Sequence, residues 1–321
     1  MEFLVLKYVF RILILVAFTL LFASCEREIE IDVPTGETQI VVEGTIETGQ
    51  PPVVLLSKTR GFFEPTSAQD IANSYIDNAE VRVNGILLNR ICSDSLPPEF
   101  QAIVSGLIGI SIEDLDDLRI CAYIGLDPAL IGTENTIYDL SVTAEGKELS
   151  ATTKIPAIIE PDSVWFRLWA DSPQYGYVFC NLSDPDTLNN AYRIFTKRIG
   201  PNDNNNPIDD LYYAPLGSTF IDEFFNGETI EVGFTRGQPA NSIRPTDQGD
   251  ESGYFEIGDT FIFKFCSITK ASYEFYLTFE SQQGANGSPF ASPANVISNI
   301  NGGLGIWAGY ACSRDTIIAI P

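Results

Sequence analysis

Strict alternation of apolar and polar residues dominates the chain. In TIYDLSVTA (136–144), Tyr138, Leu140 and Val142 alternate with polar neighbours, which predicts a strand with one buried face. A turn at Glu145-Gly146 and a second run, KELSATTKI (147–155), complete a hairpin. Upstream, QIVVEGTIE (39–47) and PVVLLSKTR (52–60) read as strands, with Gly44 marking a bulge in the first. AEVRVNGILLNRI (79–91) reads as a hairpin about Asn84-Gly85. The pattern breaks between 93 and 119. There Pro97-Pro98 opens a helix with Phe100, Ile103, Val104 and Leu107 on one face, and Ser111 to Asp114 caps a second short helix. RICAYIG (119–125) then returns to strand. Beyond Pro156 and Pro161 the runs are DSVWFRLWA (162–170), GYVFCNLSD (176–184) and NAYRIFTKRI (190–199). STFIDEFFNGETIEVGFTR (218–236) reads as strand, tight turn at Asn226-Gly227, strand. DTFIFKFCSI (259–268) reads as a buried strand, followed by a helix capped by Thr269 and stopped by Gly284. Glycines 302, 303, 305 and 309 around Trp307 predict tightly turned strands or backbone held close to another surface.

These elements predict a mainly β protein of two β-sandwich-like domains of immunoglobulin or transthyretin type. The first, 38–158, carries the helical insertion 93–119. The second, 159–321, is β-rich with one helix near its end.

The first residues follow a different rule. Lys7 and Arg11 precede an apolar run, Ile12 to Phe22, which ends in small residues before Cys25. That is the layout of a secretory signal. L-F-A-S-C resembles a bacterial lipobox, with Phe22 where Leu, Val or Ile is usual. The resemblance implies a lipoprotein signal peptide over 1–24 and lipidation of Cys25. Residues 25–37 form an acidic tether in which Glu26, Glu28, Glu30 and Asp32 disfavour contact with anionic headgroups. This collar resembles a surface-export tag.

Charge and composition narrow the function classes. The net charge is −24, from 43 acidic and 19 basic residues, which argues against nucleic acid as a partner. With 45% hydrophobic and 12% aromatic residues there is ample material for packed cores. The sequence contains 0 histidines, which excludes Ser-His-Asp and Cys-His catalysis and disfavours a zinc hydrolase site. Carboxylate-pair chemistry of the glycosidase kind remains possible, since it needs only Asp and Glu. Asp222-Glu223 and the cluster Asp114, Asp116 and Asp117 are the places to look, and no catalytic residue is assigned. Among the cysteines, Cys92 and Cys121 bracket the insertion and are the expected disulfide. At most one further pair can form among Cys180, Cys266 and Cys312. No C-x-x-C spacing supports a redox or zinc motif.

No cofactor is expected. Calcium is the one ion to consider, with oxygen ligands at Asp184 and Asp186 and at Asp203 and Asp209, but neither run has EF-hand spacing. Trp165, Trp169 and Trp307 could form a carbohydrate-stacking platform, but a Trp in a β-rich stretch is more often core or interface packing. The loops 61–75, 200–215 and 237–253 are the other candidate recognition surface.

The tail S-P-x-x-V-x-S-N-I-x-G-G-L-G-I-W-A-G-Y (292–310) resembles the C-terminal signature of the domain-of-unknown-function 4249 family of Bacteroidota envelope lipoproteins. C-E-x-E-I-E-I-D (25–32), I-V-V-E-G-x-I (40–46), the 138–156 hairpin, D-S-V-W-F (162–166) and the 182–194 run match in order. The resemblance implies a non-enzymatic lipoprotein of the outer membrane facing the cell surface, an accessory or ligand-capturing partner of a TonB-dependent transporter. A structural or adhesive surface module is the alternative, and a carboxylate-based glycan hydrolase a more distant one.

Overall fold

The computed structural model describes residues 37–61, 67, 70, 73–96, 101, 105, 119–200, 208–237, 253–285 and 295–321. Cys25, the tether up to residue 36, Asp203 and the cluster Asp114, Asp116 and Asp117 lie outside them. So do most of the 93–119 insertion and much of the three candidate loops. Gln101 and Ser105, inside the insertion, are helical.

The strands of the first half are β1 (Ile40–Glu47), β2 (Val53–Lys58), β3 (Ala79–Val83), β4 (Ile86–Leu87), β5 (Asn89–Cys92), β6 (Cys121–Ile124), β7 (Ile137–Ala144) and β8 (Lys147–Lys154). The second half supplies β9 (Ser163–Leu168), β10 (Tyr175–Ser183), β11 (Ala191–Ile199), β12 (Thr219–Ile221), β13 (Thr229–Phe234), β14 (Phe255–Glu256), β15 (Thr260–Ile268) and β16 (Leu304–Ile318). One long helix, α1 (Lys270–Ala285), precedes β16. The Thr269 hydroxyl accepts from the Ser272 N–H and caps that helix. Among the described residues no helix is long and apolar enough to cross a membrane.

A mainly β architecture results, organised on one 8-stranded sheet of order β12-β11-β15-β16-β1-β2-β6-β5. Two 4-stranded sheets face it. β4-β3-β7-β8 covers the β1 end, and β10 with β9, β13 and β14 covers the β11 end. Each pairing has its own apolar core. The first joins Val42, Leu56, Val81, Leu140, Val142 and Trp307. The second joins Val178, Cys180, Tyr192, Phe255, Phe261, Phe263 and Phe265. The expected halves are therefore two sandwiches that share a sheet. They are not separable at 158/159, because β16 from the end of the chain runs parallel to β1 in the middle of that sheet, and Thr38–Pro321 forms one compact unit.

β16 explains the glycines of the tail. Its central residues are buried on both faces. Trp307 and Ala311 point into the first core, while Ile306, Ala308, Tyr310 and Cys312 meet Phe275 and Tyr276 of α1. Gly305, at φ 107°, lies where a Cβ would sit 1.9 Å from the Val42 carbonyl oxygen. The Asn299 side chain accepts from the Trp307 N–H at 2.9 Å and donates to its carbonyl at 2.8 Å, substituting for a neighbouring strand.

One expectation is corrected. Gly44 marks no bulge, since β1 pairs without interruption to both β2 and β16. Its lack of a side chain admits the Trp307 ring. The 218–236 segment is strand, turn, strand as read, but its two strands do not pair with each other. β12 pairs with β11, and β13 pairs with β10 in the facing sheet. A 3-10 turn, Asp222–Phe224, carries the chain between the layers. Asp222 is buried and accepts from the Asn189 and Asn190 N–H groups at 3.0 and 2.8 Å. A carboxylate consumed in this way holds a turn together.

The cysteines form two cross-strand bridges. Cys92 and Cys121 join β5 to β6, and Cys266 and Cys312 join β15 to β16. Cys180 is free and buried in the second core.

Candidate functional site

The outward face of the β9–β10–β13 sheet carries the most developed surface among the described residues. Period-2 alternation sends Phe166, Val178 and Cys180 inward and leaves Trp165, Arg167, Tyr177, Phe179 and Glu231 on the other face. Register places Trp165 beside Phe179, and Phe179 beside Gly233. A Cβ on Gly233 would lie 2.6 Å from the Phe179 ring, so the glycine lets that ring lie flat on the sheet.

The rings form a continuous strip. Trp165 stacks on Phe179 with centroids 6.1 Å apart and planes 20° apart. Phe179 meets Tyr177 edge-on, and Tyr177 meets Tyr254 edge-on at 5.2 Å. Tyr254 stacks on Trp169 at 5.4 Å with planes 5° apart. Trp169 is 40% exposed, and the other four rings are half-buried. The Arg167 guanidinium lies 4.1 Å over the Phe179 centroid and pairs with both Glu231 oxygens, at 2.8 and 3.0 Å. That pair holds the Glu231 carboxyl below the usual carboxylate range. The arrangement is a flat apolar platform with one internally neutralised ion pair. It can stack on planar or CH-rich groups.

Of the sequence candidates, Trp165 and Trp169 belong to this strip. Trp307 does not. It is fully buried in the first core and donates its indole N–H to the Tyr138 carbonyl at 2.9 Å. Tyr177, Phe179 and Tyr254 were not singled out. The signal for the first two was available in the aromatic alternation of GYVFC, whereas Tyr254 joins the strip only through tertiary pairing.

The calcium candidates are dispersed. Asp184 is buried, accepts from the Tyr192 hydroxyl, and accepts from the Gly227 N–H at 3.2 Å. Asp186 accepts from Asn226 at 3.1 Å. Asp209 was expected in an exposed polar loop, but it is buried. It receives the Arg198 backbone N–H at 2.6 Å and the Arg198 guanidinium at 3.0 Å. Among the described residues no group of three or more His, Cys, Asp or Glu side chains is arranged to hold a metal ion.

The other face of the central sheet gathers charges that sequence reading missed. Arg193 and Phe195 of β11, Lys264 of β15, Arg314 of β16 and Glu43 and Glu47 of β1 all point to that side. Glu47 accepts from Lys264 at 2.6 Å and also pairs with Arg314. A lone lysine inside the apolar run DTFIFKFCSI was the available signal, because a cation in a buried strand needs a partner.

A family model described as "Domain of unknown function (DUF4249)" matches residues 26–316, nearly the whole chain. No curated protein matches it. The residues that carry the C-terminal part of the resemblance, Asn299, Gly305 and Trp307, are occupied in packing and strand pairing.

Proposed function

From the premise that the chain belongs to the DUF4249 family, we propose that it is a non-enzymatic lipoprotein of the outer membrane. In this reading Cys25 carries the lipid, the acidic tether routes the protein to the cell surface, and the folded unit is an accessory of a TonB-dependent transporter. The observation that carries the binding role is the aromatic strip, five rings from three separate chain segments aligned on a solvent-facing sheet. Rings half-exposed in a contiguous row mark a contact surface more often than a bare solvent face. The lipobox and the acidic collar support the anchor and its orientation.

The test is co-purification from detergent-solubilised outer membrane through a C-terminal tag. Wild type should recover a stoichiometric β-barrel transporter. Cys25→Ala should lose membrane association. Trp165→Ala/Trp169→Ala should stay folded and membrane-bound yet lose the barrel. Recovery of the lipoprotein alone would refute the accessory reading, and a double variant that keeps its barrel would refute the role of the aromatic strip.

A further inference from the structure

The charged group beside α1 has the properties of a ligand site distinct from the aromatic strip. Its cations alternate with rings. The Arg193 guanidinium lies 3.3 Å over the Tyr276 centroid and 4.9 Å from that of Phe195. Lys264 Nζ lies 5.3 Å from the same Phe195 ring and 5.1 Å from Tyr212. Arg314 lies 5.9 Å from Tyr212 on its other flank. Three cations are thus threaded through two shared rings, in a chain whose net charge is −24.

Carboxylates surround them, with Glu47 in direct contact and Glu43 and Glu280 acting on Arg193 from farther away. Glu47 is shared between Lys264 and Arg314. Arg193 makes one hydrogen bond, from Nη1 to the Tyr310 hydroxyl at 3.0 Å, and pairs with no carboxylate among the described residues. Its Nε is buried and has no hydrogen-bond partner. An unsatisfied buried guanidinium N–H is costly and rare in folded proteins. Tyr310 in turn donates to Tyr276 of α1 at 2.6 Å, so the guanidinium is fixed in place from both sides. Glu43 of β1 lies on the same face of the sheet. Its side chain reaches solvent, yet the surrounding protein raises its carboxyl above the usual carboxylate range, against the opposing pull of Arg193.

We propose that this cluster binds a small organic carboxylate beside Arg193, Lys264 and Arg314, with the Phe195 and Tyr212 rings as apolar contacts. The chemistry selects this class. The Nε edge of a guanidinium whose Nη1 is already engaged matches a planar two-oxygen acceptor. Flanking rings favour an acid with an apolar body over a bare, strongly hydrated anion. This site lies apart from the aromatic strip and needs no transporter, so its test stands independently of the accessory role.

The experiment is calorimetric titration of the detergent-solubilised full chain with benzoate, 3-phenylpropionate and succinate. Benzamide serves as the neutral isostere of benzoate, and inorganic phosphate as a non-planar anion. At least one aromatic acid should bind, benzamide should not, and phosphate should bind more weakly. Arg314→Gln, at a half-exposed position, should weaken the acid about tenfold, as should Lys264→Met. Arg193→Lys keeps the charge but removes the planar fork, and should also lose about tenfold while near-UV circular dichroism stays native. No binding by any of the three acids, equal binding of benzamide, tighter binding of phosphate, or affinity unchanged by Arg314→Gln would each overturn the proposal.

Discussion

Gly44→Ala probes the closest approach in the first core. An added Cβ would lie 2.7 Å from Trp307 Cε3 and 3.2 Å from Cζ3. The ring has little room to retreat, because its indole N–H is bonded to the Tyr138 carbonyl and its backbone is held on both sides by Asn299. Replacing glycine in an extended strand contributes about 0.4–1 kcal/mol through the unfolded chain. Overpacking a well-filled core costs about 1–3 kcal/mol. The net expectation is destabilisation by roughly 1–2 kcal/mol, read as a lower urea midpoint at unchanged slope. Trp307→Leu alone removes a fully buried indole and should cost about 3 kcal/mol. In that background Gly44→Ala should cost nothing, so the cycle should show a coupling of roughly 1–2 kcal/mol. A neutral or stabilising Gly44→Ala, or the same cost with and without the indole, would refute the argument that the ring excludes a side chain there.

Further outcomes follow from the bridges and buried polar groups. Cys266→Ser/Cys312→Ser opens a bridge with a sequence separation of 46, for which loop entropy predicts a loss of about 4 kcal/mol, read from the urea midpoint against wild type. Burial pushes the Cys180 thiol up from 9.0 to about 12, so a thiol reagent at pH 8 should modify it about 1000-fold more slowly in the folded than in the unfolded chain. The sign for stability follows. The folded state keeps this proton where the unfolded state loses it, so the contribution falls as pH rises above about 9. Fast labelling of native protein would contradict the placement of Cys180 in the second core. Asp184→Asn leaves the Tyr192 hydroxyl and the Gly227 N–H with a poorer acceptor and should cost about 1–2 kcal/mol. Equal thermal midpoints in calcium and in chelator would accompany it if Asp184 is structural.

What was legible in the chain was local. β7 and β8 show period-2 burial along their length, as the alternation of Tyr138, Leu140 and Val142 implies. The Thr269 cap located α1. The Asn84-Gly85 turn has the positive φ angles, 49° and 79°, that a tight hairpin requires. What was not legible depended on partners distant in sequence. Asn226-Gly227 is a genuine turn signal, but nothing near it reveals that the flanking strands belong to different layers. Gly44 suggested a bulge because its occupant, Trp307, lies at the far end of the chain. The candidate site was half-visible for the same reason. Trp165 and Trp169 stand out by residue type, whereas the cations beside α1 converge only once β11, β15, β16 and β1 are ordered in the sheet.

The parallel pairing of β1 with β16 also bears on the order of folding. Val41 finds its parallel partner only when Leu304 has been made, and β15 has no second neighbour until then. The central sheet therefore cannot close until the C-terminal strand has been made, and the loop that closes it spans nearly the whole described sequence. Truncation before Leu304 should abolish both sandwiches together rather than spare the first.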